Sequence, residues 1–132
     1  LIVVDTNVIA YLFIEGRHTT AAQVLLQADS CWFVPPLWRS EFLNVLAGTM
    51  RHRSLAQDKA LTVYSKAAQM LQGREFEPSP GRVLDLVQRT GCTAYDCEFV
   101  AVAEELGVPL VTMDAQILKC FPDRAVALSA PG

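Results

Sequence analysis

The chain has 132 residues, enough for one domain with a substantial core, and its 52% hydrophobic and 19% charged residues exclude a disordered polypeptide. Its apolar runs, Leu1-Ile2-Val3-Val4 and Val108-Pro109-Leu110-Val111 among them, are too short to cross a bilayer, so no membrane association is expected. A net charge of −3 argues against a passive nucleic-acid binder held by basic side chains, but not against one whose positive charge comes from bound divalent cations.

Leu1-Ile2-Val3-Val4 is a continuous β-branched run and reads as a strand buried on both faces. Asp5-Thr6-Asn7 ends it with residues that favour turns and helix N-caps. A short buried helix is expected over Val8 to Phe13, closed by Gly16, and a second from Thr19 to about Ala28. Trp32 to Val34 reads as a strand stopped by Pro35-Pro36. From Leu37 to about Arg53 apolar residues recur at helical spacing, and Leu55 to Leu71 forms another amphipathic helix. A brief strand is expected at Phe76 to Pro78. A helix follows from Pro80 to Arg89, with Pro near its start and Gly91 past its end. Ala94 to Leu106 is the next helix, capped by Gly107. Val108 to Val111 is a second fully apolar strand, a short helix runs on to Cys120, and Ala125 to Leu128 is the last strand. Short buried strands alternating with helices predict a single α/β domain over residues 1–132, a three-layer α/β/α sandwich around a mostly parallel sheet. The helical hairpin from Leu37 to Leu71 has no strand between its arms and reads as a lid or an oligomer surface.

The four cysteines, Cys31, Cys92, Cys97 and Cys120, form no C-x-x-C pair, and His18 and His52 complete no zinc pattern. They are read as small, inert thiols of a reducing cytoplasm. The chain opens at Leu1 rather than Met, so residues upstream of it are expected.

Two carboxylates, Asp5 and Asp114, follow the two clearest strands. In parallel sheets ligands bind beyond the carboxyl ends of the strands, so if these strands are neighbours both acids face one crevice. Asp96 lies near the start of its helix, and Glu41 lies in the first turns of another, with Asn44 three residues on along the same face. Two carboxylates about 4 Å apart repel by roughly 4 kcal/mol at an effective dielectric near 20, so clustering them calls for a proton or a cation. Mg²⁺ and Mn²⁺ prefer oxygen ligands, lower the pKa of water and neutralise charge on a phosphate, which is what phosphodiester hydrolysis requires. Each acid also has a purely structural reading: Asp5 and Asp114 as N-caps, Asp96 as a first-turn acid favoured by the helix dipole, Glu41 as an exposed helix charge.

Three segments carry a family resemblance. Val3-Val4-Asp5-Thr6-Asn7 resembles the opening strand and D-[ST]-[NS] signature of PIN domains. Ser40-Glu41-Phe42-Leu43-Asn44-Val45-Leu46 is similar to the family's helix with a Glu and an Asn three residues later. The stretch from Tyr95-Asp96-Cys97 through Leu106-Gly107-Val108-Pro109-Leu110-Val111-Thr112-Met113-Asp114 resembles the family's most specific block almost position by position. The resemblance implies a Mg²⁺- or Mn²⁺-dependent endoribonuclease on a flavodoxin-like sandwich, closest to the VapC-type toxins. It implies Asp5, Glu41, Asp96 and Asp114 as metal-site acids, with Thr6, Asn7, Asn44 and Thr112 as supporting polar groups. It also implies a homodimer, an antitoxin protein as partner, and RNA cut to leave a 5′-phosphate and a 3′-hydroxyl. Cys97 stands where Ala is usual, and Met113, in place of a small residue, is expected to narrow the pocket.

Arg39, Arg51 and Lys119, with Arg53 and Arg124, are candidates for phosphate contact, set against the ordinary reading of solvated cations. Trp32 and Trp38 are read as packing residues ahead of base-stacking ones. Two rivals remain. A strand ending in Asp also opens the haloacid-dehalogenase phosphatases, whose motif needs a second Asp where Asn7 stands. The other is a PIN-like RNA-binding or scaffold protein with little catalysis.

Overall fold

Two short β-branched runs pair side by side at the centre of the molecule. They are β1 (Ile2–Val4) and β3 (Leu110–Thr112), joined in parallel with Val3 opposite Leu110 and Val4 opposite Val111. The computed structural model describes residues 1–129. β2 (Trp32–Phe33) flanks β1 and β4 (Ala125–Ala127) flanks β3, giving a fully parallel sheet in the order β2-β1-β3-β4. Every residue of β1 and β3 is buried, as their unbroken apolar character requires of strands covered on both faces. Each such Val or Leu side chain contributes about 1.5–3 kcal/mol of hydrophobic stabilisation.

Among the described residues seven helices cover the sheet: α1 (Thr6–Phe13), α2 (Thr19–Ala28), α3 (Trp38–His52), α4 (Gln57–Met70), α5 (Pro80–Thr90), α6 (Ala94–Leu106) and α7 (Ala115–Cys120). α1 packs on β3 and gathers α2, α3 and α4, whereas α6 packs on β1 and β3 and carries α5. The result is the expected three-layer arrangement. Trp32 and Trp38 are 1% and 0% exposed, so both are core residues and neither offers a face to a base. The Trp38 ring stacks on Tyr64 at 5.9 Å, locking α3 to α4. No helix among the described residues is long and apolar enough to cross a membrane.

The departures from the predicted elements have local causes. α1 begins at Thr6 rather than Val8 because Asp5 Oδ1 accepts from the Thr6 N–H at 2.8 Å and starts the helix at once. The hairpin breaks where Ser54 takes a left-handed φ of 55°, which delays α4 to Gln57. β3 starts at Leu110 because Pro109 has no N–H for the ladder, although its carbonyl accepts from Val3 at 3.0 Å. The strand expected at Phe76 to Pro78 is instead an isolated parallel bridge between Val34 and Glu75. Phe76 N–H reaches the Val34 carbonyl at 2.9 Å, and Pro78 prevents continuation.

Candidate active site

The parallel pairing of β1 and β3 sets their carboxyl ends together, and with them Asp5 and Asp114. Asp5 N–H donates to the Val111 carbonyl at 2.9 Å, fixing one strand end against the other. A pocket of about 620 Å³ opens there, lined by Asp5, Thr6, Asn7, Glu41, Asn44, Asp96 and Asp114 together with Leu37, Ser40, Val45 and Tyr95. All four predicted acids therefore share one hollow. α3 and its N-cap Leu37 contribute a stripe: Leu37, Ser40, Glu41, Asn44 and Val45 recur at three- and four-residue intervals, so one helical face meets the strand ends.

Hydrogen bonds hold this constellation in place. Asp5 is 8% exposed, and its two oxygens have separate donors: Thr6 N–H at 2.8 Å on Oδ1 and the Thr112 hydroxyl at 2.7 Å on Oδ2. Thr6 Oγ1 donates to Glu41 Oε1 at 2.7 Å and ties α1 to α3. Asp114 caps α7, with Oδ1 accepting from Gln116 and Ile117 N–H at 2.9 and 3.0 Å. At α6 the cap is Thr93, whose hydroxyl accepts from Asp96 N–H at 3.1 Å, so the Asp96 carboxylate is spared for the pocket. The capping readings of Asp5 and Asp114 thus hold alongside their place in the pocket.

The acids also act on one another. Burial is the largest influence on Asp5 and raises its carboxyl above the ordinary range; bonds from Thr112 and Thr6 oppose it, and the charges of Asp96 and Asp114 add to it. Glu41 is raised first by burial and then by Asp5 and Asp96, against the Thr6 bond. Burial followed by the Asp114 charge raises Asp96. Mutual repulsion at a shared hollow is what a cation would relieve.

The donor set suits a hard cation. Carboxylate and amide oxygens line the hollow, and no Cys or His does. Asn7 Oδ1 is buried without a hydrogen-bond partner. The Thr112 hydroxyl gives its single proton to Asp5, so it presents a lone pair to Asn7 Nδ2, at 3.5 Å, and this leaves Oδ1 as the amide's free atom. The acids stand open rather than closed: among the described residues no three His, Cys, Asp or Glu side chains converge tightly enough to hold a metal ion by themselves.

Other sequence-derived candidates fall elsewhere. Arg39, Arg51 and Lys119 do not line this pocket. Arg39 makes a forked pair with Glu75, at 2.7 and 3.0 Å, and Glu75 also accepts from Trp38 Nε1 at 2.8 Å. Arg53 donates to the Glu15 carbonyl and Arg124 to the Val108 carbonyl. Met113 packs against the core and is not among the residues that line the hollow, so it does not narrow it. Ser40 and Tyr95 line the hollow and had been given no role. Their places beside Glu41 and Asp96 in the chain were the available signal.

The family model described as PIN domain matches residues 2–120. The chain belongs to the PIN-domain family. This PIN domain is similar to Ribonuclease VapC3 of Pyrobaculum aerophilum, 29% identical over 125 residues that make up 92% of this chain and 95% of that protein. The crystal structure of PAE2754 from Pyrobaculum aerophilum matches it with a TM-score of 0.76 at 22% identity, over 96% of this chain and 90% of that one. FitAcB from Neisseria gonorrhoeae matches with a TM-score of 0.71 at 15% identity, over 95% of this chain and 96% of that one. At such identities the two solved structures speak for the fold.

Proposed function

We propose that this PIN domain is a Mg²⁺- or Mn²⁺-dependent endoribonuclease that hydrolyses phosphodiester bonds in single-stranded RNA. We further propose that it is the cytoplasmic, dimeric toxin of a type II toxin-antitoxin pair. The observation that carries the nuclease reading is the meeting of Asp5, Glu41, Asp96 and Asp114 in one oxygen-lined hollow where each of three acids is pushed up by burial and by its neighbours. The similarity to Ribonuclease VapC3 supports RNA as substrate and an antitoxin as partner.

Asp5, Glu41, Asp96 and Asp114 would hold the cation. When bound, it supplies Lewis acidity and neutralises the charge that grows on the phosphate during attack by water. The protein's own part is orientation. Thr112 and Thr6 fix the plane of the Asp5 carboxylate through its two oxygens, and Thr6 aligns Glu41. Asp114 commits Oδ1 to α7 and keeps Oδ2 available. The N-termini of α1 and α6 both open at the hollow, and their dipoles favour an incoming phosphate.

Cleavage of a single-stranded RNA is to be followed with Mg²⁺ or Mn²⁺, with and without EDTA, for the wild type, Asp5→Asn and Asp96→Asn. Metal-dependent cutting that both substitutions reduce about 100-fold or more supports the assignment, and equal activity in all samples overturns it. The open spacing of the acids favours one other reading, an RNA-binding or scaffold protein with little turnover. That reading predicts RNA retention without cleavage at any Mn²⁺ concentration.

A further inference from the structure

Tyr95 is the one aromatic residue among the exposed large hydrophobic side chains of the described residues, with 62% of its surface open to solvent. It nonetheless lines the acid hollow, next in the chain to Asp96. Both tryptophans are buried, so neither competes for the role of a stacking surface at this mouth. Tyr95 is the second residue of α6, inside the turn that Thr93 caps through Asp96 N–H at 3.1 Å. The ring is therefore presented by an anchored helix start, a more precise mount than a loop.

We propose that Tyr95 is a platform on which a nucleobase beside the scissile phosphate stacks, and that this contact selects unpaired RNA over duplex. This rests on the nuclease reading of the adjoining acids. A base in a helix already has both faces covered by its neighbours, and only a splayed base can offer one to a tyrosine. Stacking reads a π-face that every base has, so Tyr95 contributes affinity and strand state with little sequence preference.

The test uses a single-stranded oligoribonucleotide with its cleaved bond mapped, and versions with an abasic nucleotide on either side of that bond, one at a time. Wild type, Tyr95→Phe and Tyr95→Ala are compared in Mn²⁺. Tyr95→Ala is expected to raise KM about tenfold with little change in kcat, while Tyr95→Phe matches the wild type. One abasic position is expected to cost the wild type as much as the alanine substitution does, and to cost the alanine variant nothing more. The proposal is overturned if Tyr95→Ala keeps the wild-type KM, or if Tyr95→Phe fails with it. It is also overturned if the alanine and abasic losses multiply, or if the substitution alters only self-association in sedimentation. Should the wild type cut no RNA, the nuclease reading fails separately. Fluorescence anisotropy with the same oligonucleotide then decides: about tenfold weaker binding by Tyr95→Ala sustains the platform, and equal or absent binding ends it.

Discussion

The Thr112 hydroxyl donates a 2.7 Å hydrogen bond to Asp5 Oδ2, joining the ends of the two central strands across 107 positions of sequence. Thr112 Oγ1 also accepts from Asp114 N–H at 2.9 Å, so one fully buried side chain positions two of the four acids. Thr112→Val keeps the shape and removes both bonds. It is expected to cost about 1–3 kcal/mol, read as the shift of the urea midpoint. Cleavage should fall about 10–100-fold, as when a partner of a metal ligand is removed. Thr112→Ser should recover most of both.

Asp96 combines burial with repulsion by Asp114, and its side chain caps no helix. Asp96→Asn removes the repulsion and keeps the volume. In the presence of EDTA the melting temperature should rise by about 2–4 °C while metal-dependent cleavage drops about 100-fold, the usual opposition between a strained site and a stable fold. A fall in melting temperature would mean that Asp96 serves the fold rather than the chemistry.

Asp5, Glu41 and Asp96 are all raised by folding. Such groups hold their protons more firmly in the folded chain than in the unfolded one, so ionising them weakens the fold. Their contribution is most favourable below about pH 4, where they are protonated in both states, and is lost as pH climbs through the raised folded values. Glu75 is lowered, chiefly by the bond from Arg39, and forms a second set that acts in the opposite sense. The two sets separate on adding Mn²⁺, which touches only the first. Its stabilising effect in thermal melts should be clear near about pH 7 and vanish near about pH 4.

Arg39 is occupied by Glu75 and lies outside the hollow. Arg39→Ala is expected to lower stability by less than about 1 kcal/mol, since the pair is half-exposed, and to leave RNA cleavage unchanged. A large rise in KM would show that Arg39 leaves Glu75 to meet phosphate.

Burial, followed by the neighbouring Cys120 thiol, pushes the Cys92 thiol up to about 11. Iodoacetamide at about pH 8 should therefore label Cys92 in the folded protein about 100-fold more slowly than in urea. Mass spectrometry of the alkylated peptides reads this directly.

The central strands and most helices were legible because their signals are local. Unbroken β-branched runs mark β1 and β3, and Gly91 and Gly107, both at positive φ, end α5 and α6 as caps do. The single bridge at Glu75 was not legible, because one hydrogen-bonded pair leaves no periodicity. For the acids, sequence supplied strand ends and a family likeness. The decisive fact, adjacency of β1 and β3, is a pairing between distant segments that no local pattern encodes. The fates of Arg39 and Tyr95 were equally hidden, because whether a side chain finds a partner or faces solvent depends on neighbours brought in by the whole fold.

Asp5 and Asp114 each start a helix as well as facing the hollow, whereas Glu41 and Asp96 start none. On the nuclease reading, selection for a stable chain and selection for turnover therefore press together on the first pair, whereas turnover presses alone on Asp96 and only the bond from Thr6 adds to it at Glu41. In a descendant lineage released from the proposed task, Asp96 should drift first and Glu41 after it. The two strand-end aspartates should persist, as long as there is a protein left to fold.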